Sequence, residues 1–494
     1  MTCRSGESQR PPHPPPPGPM LNFPTLMPED GETIQPRRQA RASARDLLVV
    51  ILAAGKGTRM RSALPKVLHP LAGEPLLSYP ISLARQLGAG NIVVVHAPGQ
   101  QAALAEVAAG STMVTQQHPL GTGHAVNQVP QALREIPEVL VLYGDVPLLT
   151  LPTLRRLVQL RRRNELDCSL LAARMADPTG YGRLVDINGG VHIVEEADVT
   201  AEQALVDLVN TGVCSFNAGR LWPALRRLKK NSRTGEYFLT EIFGTLEKRG
   251  VLACSEEEAM GVNDRWQLAQ AETRLRRRRN RELAISGVTI VDPETTYVDA
   301  DVSLEPDVRI EPFTFLRGHT SIGARSQIGP FAEITDSRIG RDCVIGRSHL
   351  ADSVVEDNVD IGPFNRLRAG AVVATGSRIG THAEIKNTLV GPGSDVHHFS
   401  YLGDAVLGKG VNIGAGTVTA NYNGREKRQT LIGDDVFIGS DSTLVAPVRV
   451  GKGAYVAAAS CITEDVPEEA LAIGRSRQIV KEGWAREKAA ARQK

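Results

Sequence analysis

Ile322-Gly-Ala-Arg-Ser-Gln-Ile328-Gly-Pro-Phe-Ala-Glu-Ile334 places an aliphatic residue at every sixth position. The spacing reaches back through Leu316, Ile310 and Leu304. It returns in Val355, Ile361, Leu367, Val373, Ile379 and Ile385, and again in Ile432, Ile438, Leu444, Val450 and Val456. A period of six is neither the helical repeat nor the alternation of a half-buried strand. It marks a hexapeptide-repeat parallel β-helix. Each hexad forms one short side of a coil, its aliphatic residue points inward, and stacked coils bury a continuous column. Glycine often follows the aliphatic residue, as in Ile322-Gly323, Ile361-Gly362 and Ile438-Gly439. The phase slips at Ile339 and between Ile385 and Ile432. Slips in a solenoid mark loops, and loops are where such a scaffold carries chemistry.

Composition fits a repeat. Aromatics are only 4 % of 494 residues while glycine numbers 47, so a large core here must stack aliphatic side chains. The six cysteines (Cys3, Cys168, Cys214, Cys254, Cys343, Cys461) are scattered without a Cys-x-x-Cys pair. That argues against structural zinc and a disulfide scaffold, and it points to a reducing, cytoplasmic setting. No apolar run is long enough to span a membrane, so no membrane insertion is expected. The net charge of +2 comes from residues 1–45, with six arginines and four acidic residues; the remainder is balanced and gives no bulk reason to expect nucleic acid.

Residues 1–45 read as a disordered extension. Ten of the 30 prolines lie in the first 36 residues, including Pro14–Pro17, and no apolar signal region is present. The extension is a proline-rich docking motif, a floppy tail, or the product of a start codon assigned too early, with Met20 and Met27 as alternatives. From Leu47 the pattern changes to short aliphatic runs (Leu47–Ala53, Asn91–His96, Val139–Tyr143) alternating with helix-like stretches such as Leu76–Leu87 and Gln100–Ala109. That alternation predicts a parallel sheet covered on both faces, with ligands at the carboxyl ends of its strands. The boundaries expected are 46–264 for this domain, 265–284 for a linker helix and 285–494 for the β-helix and its tail. The basic run within Arg274–Arg279 is either a nucleic-acid contact or the solvated face of that linker.

Two constellations carry chemistry. In the first, Leu52-Ala-Ala-Gly-Lys-Gly-Thr-Arg-Met60 and Pro65-Lys66 follow a strand. Gly55 and Gly57 let the backbone approach anionic oxygens, and Lys56, Arg59 and Lys66 add charge. Neither a Walker loop nor a dinucleotide fingerprint is present, so the reading is a phosphate cradle of another kind. Tyr143-Gly144-Asp145 ends a strand, and Asp145 is either a magnesium ligand or a turn residue. Gly121-Thr-Gly-His124 is a second turn facing a ligand, and His124 is given no catalytic role. In the second constellation, His397-His398-Phe-Ser-Tyr401-Leu-Gly-Asp404 falls in a phase slip, ahead of Asn412–Thr417 and Asn421-Tyr-Asn-Gly424. Acyl transfer to an amine needs a base, because an ammonium has no free lone pair, and histidine is the natural one.

The order Leu52–Met60, Pro65-Lys66, Gln116, Gly121-Thr122, Tyr143–Asp145, Thr179–Gly182, Asn210–Gly212 and Gly261–Asn263 resembles that of sugar-1-phosphate nucleotidyltransferases. With the β-helix behind it, the chain from about residue 46 to 486 resembles the bacterial family of bifunctional N-acetylglucosamine-1-phosphate uridylyltransferase/glucosamine-1-phosphate N-acetyltransferases. The resemblance implies an α/β chain: a Rossmann-like nucleotidyltransferase domain followed by a hexapeptide-repeat left-handed parallel β-helix that forms a homotrimer. It implies UTP and acetyl-CoA as co-substrates and Mg2+ as cofactor. Arg59 and Lys66 would serve the triphosphate, and Asp145 and Asn263 would hold magnesium. Gln116, Gly121 and Thr122 would read uracil, and Gly182, Glu195 and Asn210 would position the sugar. Leu52, Ala53, Ala54, Gly55, Tyr143 and Gly144 would complete that site.

In the β-helix the resemblance selects His398 as the base. Arg368, Lys386, Tyr401, Asn412 and Lys427 would form the acceptor site. Ala415, Asn421, Tyr422, Ser440, Ala458, Arg475 and Trp484 would line the acetyl-CoA site, which the family shares between subunits. Three positions depart from the family pattern: Ala197, where lysine is frequent; His397; and Asn423, where aspartate is usual. A competing reading is a single-activity nucleotidyltransferase whose β-helix only assembles subunits. The His398 cluster and the Asn421–Gly424 loop speak against it, since a spacer needs neither.

Overall fold

A computed structural model describes residues 26–27, 46–187 and 190–492. The chain divides into two compact units at Arg274/Leu275. The proline-rich extension lies outside the described residues apart from Leu26–Met27, which pair in parallel with Val251–Leu252 at the edge of the front sheet.

The front sheet runs in the order Leu26–Met27, Arg249–Cys254, Cys168–Arg174, Leu208–Asn217, Glu138–Tyr143, Leu47–Ala53, Asn91–His96, Thr112–Thr115. Leu47–Ala53 is apolar throughout because it is buried on both faces. Leu47, Val49 and Ile51 enter one core, and Leu48, Val50 and Leu52 enter the other. The alternating pattern predicts a parallel sheet, but the sheet is mixed. Leu208–Asn217 runs antiparallel to both Glu138–Tyr143 and Cys168–Arg174. The cause is its connection. A parallel return needs a crossover, usually a helix, but among the described residues between Arg174 and Leu208 the chain makes only the antiparallel pair Arg183–Ile187/Gly190–Val194 and two 3-10 turns.

The helix Arg265–Ile285 starts where the linker helix is expected and extends one residue beyond its expected end at 284. Three residues of its basic run are engaged. Arg277 pairs with Glu294 at 2.8 Å, Arg276 lies 4.4 Å over the Tyr297 ring, and Arg279 donates to the Val302 carbonyl at 2.7 Å.

The second unit is a parallel β-helix of three sheets with 11, 10 and 9 strands, consistent with the left-handed form. The hexad columns stand in register, as Ile310, Ile328, Ile345, Ile361 and Ile379 in one sheet and Leu316, Ile334, Leu350, Leu367 and Ile385 in the next. Its core contains no aromatic side chain among the described residues. The glycine after the inward residue is required by coil spacing: a Cβ on Gly362 would lie 2.4 Å from the Gly380 carbonyl oxygen. Buried hydroxyls then satisfy the corner carbonyls, as Ser348 Oγ to Gly362 O and Ser377 Oγ to Gly391 O, both at 2.9 Å. The slip at Ile339 is no loop. Ile322 faces Ile339, so that coil is simply one residue short of three hexads. The later slip does contain one: Ile413 faces Ile438, and the excess chain forms a loop closed by the Tyr422–Lys427 bridge.

Candidate active sites

A cavity of about 420 Å³ opens at the carboxyl ends of Leu47–Ala53 and Glu138–Tyr143, a size suited to a small-molecule ligand. Leu52, Ala53, Ala54, Gly55, Lys66, Gln116, Gly121, Thr122, Tyr143 and Asp145, all named from the sequence as candidate site residues, line it. Gly144 sits just behind, its amide donating to Leu52 O at 2.9 Å. The Lys66 ammonium is salt-bridged to Asp145 and donates to Asn263 Oδ1 at 3.2 Å, so these three residues from separate loops converge. Gly57 makes this possible. Its φ is +59°, and a Cβ there would strike Lys66 Cβ at 2.7 Å. Arg59 stands exposed on the 3-10 turn Thr58–Met60.

Gln116 is buried and its Nε2 donates to Gly121 O at 3.1 Å. A carbonyl can only accept, so the amide's NH2 is fixed on that side. Nε2 also lies 2.9 Å from His124 Nδ1. Burial and the neighbouring His118 hold the His124 pKa down, which favours the neutral ring as a hydrogen-bond partner of Gln116. The segment around Tyr237 clamps this turn. Its carbonyl accepts from Gly123 N at 2.8 Å, and Leu239 N donates to Thr122 Oγ1 at 2.9 Å.

Gly182, Glu195 and Asn210 come together beside Tyr143. Asn210 N donates to Gly182 O at 2.8 Å, and Glu195 Oε2 lies 3.5 Å from where a Gly182 Cβ would be. A register shift between Asn210 and Cys214 re-aims the strand here, with Gly212 at φ +82° pressed on the Tyr143 ring. Burial pushes the Glu195 carboxyl above its ordinary pKa, a hydrogen bond from Thr240 opposes this, and Glu241 and Asp198 add to the rise. Burial also raises the Tyr143 phenol, helped by Cys214, Glu195 and Asp145. At Ala197, where the family often has lysine, the backbone carbonyl accepts from Arg233 at 2.6 Å. Lys56, Pro119 and Glu236 also line the cavity. Lys56 is one of the three cations that the sequence reading places at the phosphate cradle. Glu236 carries no motif signal; it arrives on the Asn231–Leu239 segment, whose packing against Gly121 only the fold reveals.

In the β-helix, one corner assembles four of the predicted residues in successive coils. Gly416 N donates to His398 O, Asp441 N to Ala415 O, and Ala459 N to Ser440 O, at 2.7–2.8 Å, which sets His398, Ala415, Ser440 and Ala458 in a ladder. His398 is exposed, and Thr381 N donates to its Nδ1 at 3.3 Å. On the adjoining sheet, Arg368, Lys386 and Tyr401 extend from the stacked strands around Leu367, Ile385 and Leu402. Tyr401 Oη and Asn421 Nδ2 both crowd over Gly403. Lys427 joins Lys386 from the long loop, and this contact is the main cause of a lowered Lys386 pKa. Tyr422 is exposed on that loop.

Three predicted residues stand apart within the chain. Asn412 lies in the preceding sheet, where its Oδ1 accepts from His397 Nε2 at 2.9 Å. Arg475 and Trp484 are exposed, and among the described residues neither makes a hydrogen bond or ring contact with the His398 corner; Lys488 Nζ lies 4.7 Å over the Trp484 ring.

A ligand-sized cavity at the strand ends of an α/β domain, followed by a hexapeptide β-helix with its own polar corner, is the arrangement of the sugar-nucleotide nucleotidyltransferases that carry a β-helix. The sequence pattern of the MobA-like NTP transferase domain matches residues 49–241. A bifunctional protein GlmU of Fervidobacterium nodosum is 44 % identical over 443 residues, which is 89 % of this chain and 97 % of that protein. Those of Thermotoga maritima and Brevibacillus brevis are 43 % and 41 % identical, covering 98 % and 96 % of their lengths with 89 % and 88 % of this one. The chain belongs to the bifunctional GlmU family.

Proposed function

We propose that the chain makes UDP-N-acetylglucosamine from glucosamine 1-phosphate in two steps. It acetylates the amine with acetyl-CoA. It then transfers UMP from UTP to the N-acetylglucosamine 1-phosphate, releasing pyrophosphate. The product supplies peptidoglycan, cell-wall and lipopolysaccharide precursor synthesis. The observation that carries the reading is the convergence of Lys66, Asp145 and Asn263 at the nucleotide-sized cavity in a chain of the bifunctional family.

In uridylyl transfer the attacking sugar phosphate is already anionic, so positioning and charge neutralisation lower the barrier. Arg59 and Lys66 bind the triphosphate. Asp145 and Asn263 fit magnesium: a carboxylate and an amide oxygen already converge on one cation, and magnesium takes few protein oxygens. When bound there, the metal supplies further neutralisation of phosphate charge. Gln116, with its NH2 committed to Gly121 O, keeps its oxygen as the acceptor for the uracil N3–H. Gly182, Glu195 and Asn210 take the sugar.

In acetyl transfer, Arg368, Lys386 and Lys427 grip the sugar phosphate. The His398 imidazole takes the amine's proton as nitrogen attacks the thioester carbon and the C–S bond breaks to leave CoA. A homotrimer sharing this site between subunits accounts for Asn412, Arg475 and Trp484 standing apart within one chain. It would also cover the exposed ring ladder Phe313–Phe331 (4.9 Å) and Phe364–His382–Phe399 (5.0 Å each). Operation in the cytoplasm agrees with five free thiols among the described residues, where no helix is long and apolar enough to cross a membrane.

The test is incubation with glucosamine 1-phosphate, acetyl-CoA, UTP and magnesium, with products resolved by mass. UDP-N-acetylglucosamine with free CoA and pyrophosphate is expected. Conversion only of added N-acetylglucosamine 1-phosphate would remove the acetyltransferase half of the reading.

A further inference from the structure

Asp404 has no assigned role, yet hydrogen bonds join it both to the strand of Lys386 and to Asn421 at the base of the long loop. It sits in a left-handed turn (φ +51°) between the strands Tyr401–Gly403 and Ala405–Leu407. Both its carboxylate oxygens are committed. Oδ1 accepts from Asn387 Nδ2 at 2.6 Å, and Oδ2 accepts from Asn421 Nδ2. Its backbone is anchored as well, its N donating to Lys386 O at 3.1 Å and its O accepting from Thr430 N at 3.2 Å. Asp404 therefore joins the coil that carries Lys386 to the loop that carries Asn421 and Lys427.

The charges give this link a purpose. Lys427 is the neighbour whose charge acts most strongly on Lys386, and two ammoniums repel. Burial alone would raise the Asp404 carboxyl, but hydrogen bonds from Asn387 and Asn421 and the charges of Lys427 and Lys386 hold it below the usual carboxylate range. The carboxylate thus stays ionised where the charges of both lysines reach it. Without it, the pair would splay before a phosphate arrived to neutralise it.

We propose that Asp404 is a positioning residue of the acetyl-acceptor site: its carboxylate holds Lys386 and Lys427 side by side and orients the Asn421 amide, so that the pair meets the phosphate of glucosamine 1-phosphate ready-formed. This rests on the acetyltransferase reading above. Asp404→Asn is the discriminating variant. Asparagine tolerates the left-handed turn, but it sets an NH2 against that of Asn421 or Asn387 and offers the lysines no charge.

The expected result is a KM for glucosamine 1-phosphate raised about tenfold or more, with acetyl-transfer kcat within about threefold and uridylyl transfer by the same full-length protein unchanged. In a Lys427→Met background, with no like-charged pair left to hold, Asp404→Asn should raise that KM far less. An unchanged KM in Asp404→Asn, or additive effects in the double variant, overturns the proposal. Should Asp404→Asn fail to fold, Asn387→Gly serves instead. Asn387 is exposed, its φ of +46° suits glycine, and it removes one tether of the carboxylate. A KM raised about threefold is then expected, and no change overturns the proposal. Wild-type protein without acetyl transfer would sink the parent reading instead.

Discussion

Gly403→Ala separates the two activities with one methyl group. Gly403 ends the strand Tyr401–Gly403 and does not need the left-handed region, so alanine brings no backbone strain. Its Cβ would lie 2.6 Å from Tyr401 Oη and 2.7 Å from Asn421 Nδ2. To reach ordinary contact both groups must retreat by roughly 0.7–0.8 Å, and a misplacement near 1 Å costs on the order of 10²-fold in rate. Acetyl-transfer kcat/KM is therefore expected to fall tenfold to a hundredfold, about 1.4–2.7 kcal/mol of transition-state stabilisation. The cost in stability is smaller. The displaced atoms are side-chain ends, and the loss of the Asn421 hydrogen bond to a carboxylate, about 1.5–3 kcal/mol, is offset by about 0.4–1 kcal/mol from the stiffer unfolded chain. Release of CoA thiol measures the first activity. Pyrophosphate release from UTP and N-acetylglucosamine 1-phosphate measures the second and should match wild type. Acetyl transfer within threefold of wild type would refute the claim that Tyr401 and Asn421 position the reactants.

Three further outcomes are expected. His398→Ala should remove acetyl transfer and leave uridylyl transfer nearly intact, and loss of both in a folded protein would contradict two separate sites. A Cβ on Gly55 meets nothing within 4 Å, so Gly55→Ala should leave the melting temperature alone while raising the KM for UTP about tenfold; an unchanged KM would mean phosphate does not approach that backbone. Glu195→Gln should stabilise the front unit above about pH 4.5 and make no difference below it, as read by thermal melts across pH. The sign follows from the raised pKa: the wild-type carboxyl is neutral in both states at low pH, and as pH rises through the folded pKa the folded state must carry a half-buried charge.

The repeat was legible because each hexad repeats one demand, an aliphatic residue facing inward with a glycine behind it, and Ile328, Ile345 and Ile361 answer it coil after coil. The place of the cavity was legible because Gly55, Gly57, Lys66 and Asp145 are short-range signals at strand ends. The antiparallel course of Leu208–Asn217 was not, since a buried strand has the same composition in either direction and only its connection decides. Nor was Glu236, which enters the cavity through backbone bonds between Tyr237 and the Leu120–Gly123 turn that no side-chain pattern announces.

Asn423 shows how a departure from a family pattern is weighed by what the side chain does. Its Oδ1 accepts from Arg425 N and Glu426 N, both at 3.0 Å, and its own N donates to Glu426 O at 3.3 Å. The side chain thus closes the tip of the Asn421–Arg428 loop, and a single oxygen acceptor is all that turn requires. An aspartate could make the same two bonds, so the neutral residue keeps the loop's shape while removing one negative charge. That charge would stand in the same loop as Lys427, whose nearby carboxylate is already supplied by Asp404. The lysine pair keeps its compensating charge whichever residue stands at 423, which is why Asp404, rather than the loop tip, is where acceptor affinity should be sensitive.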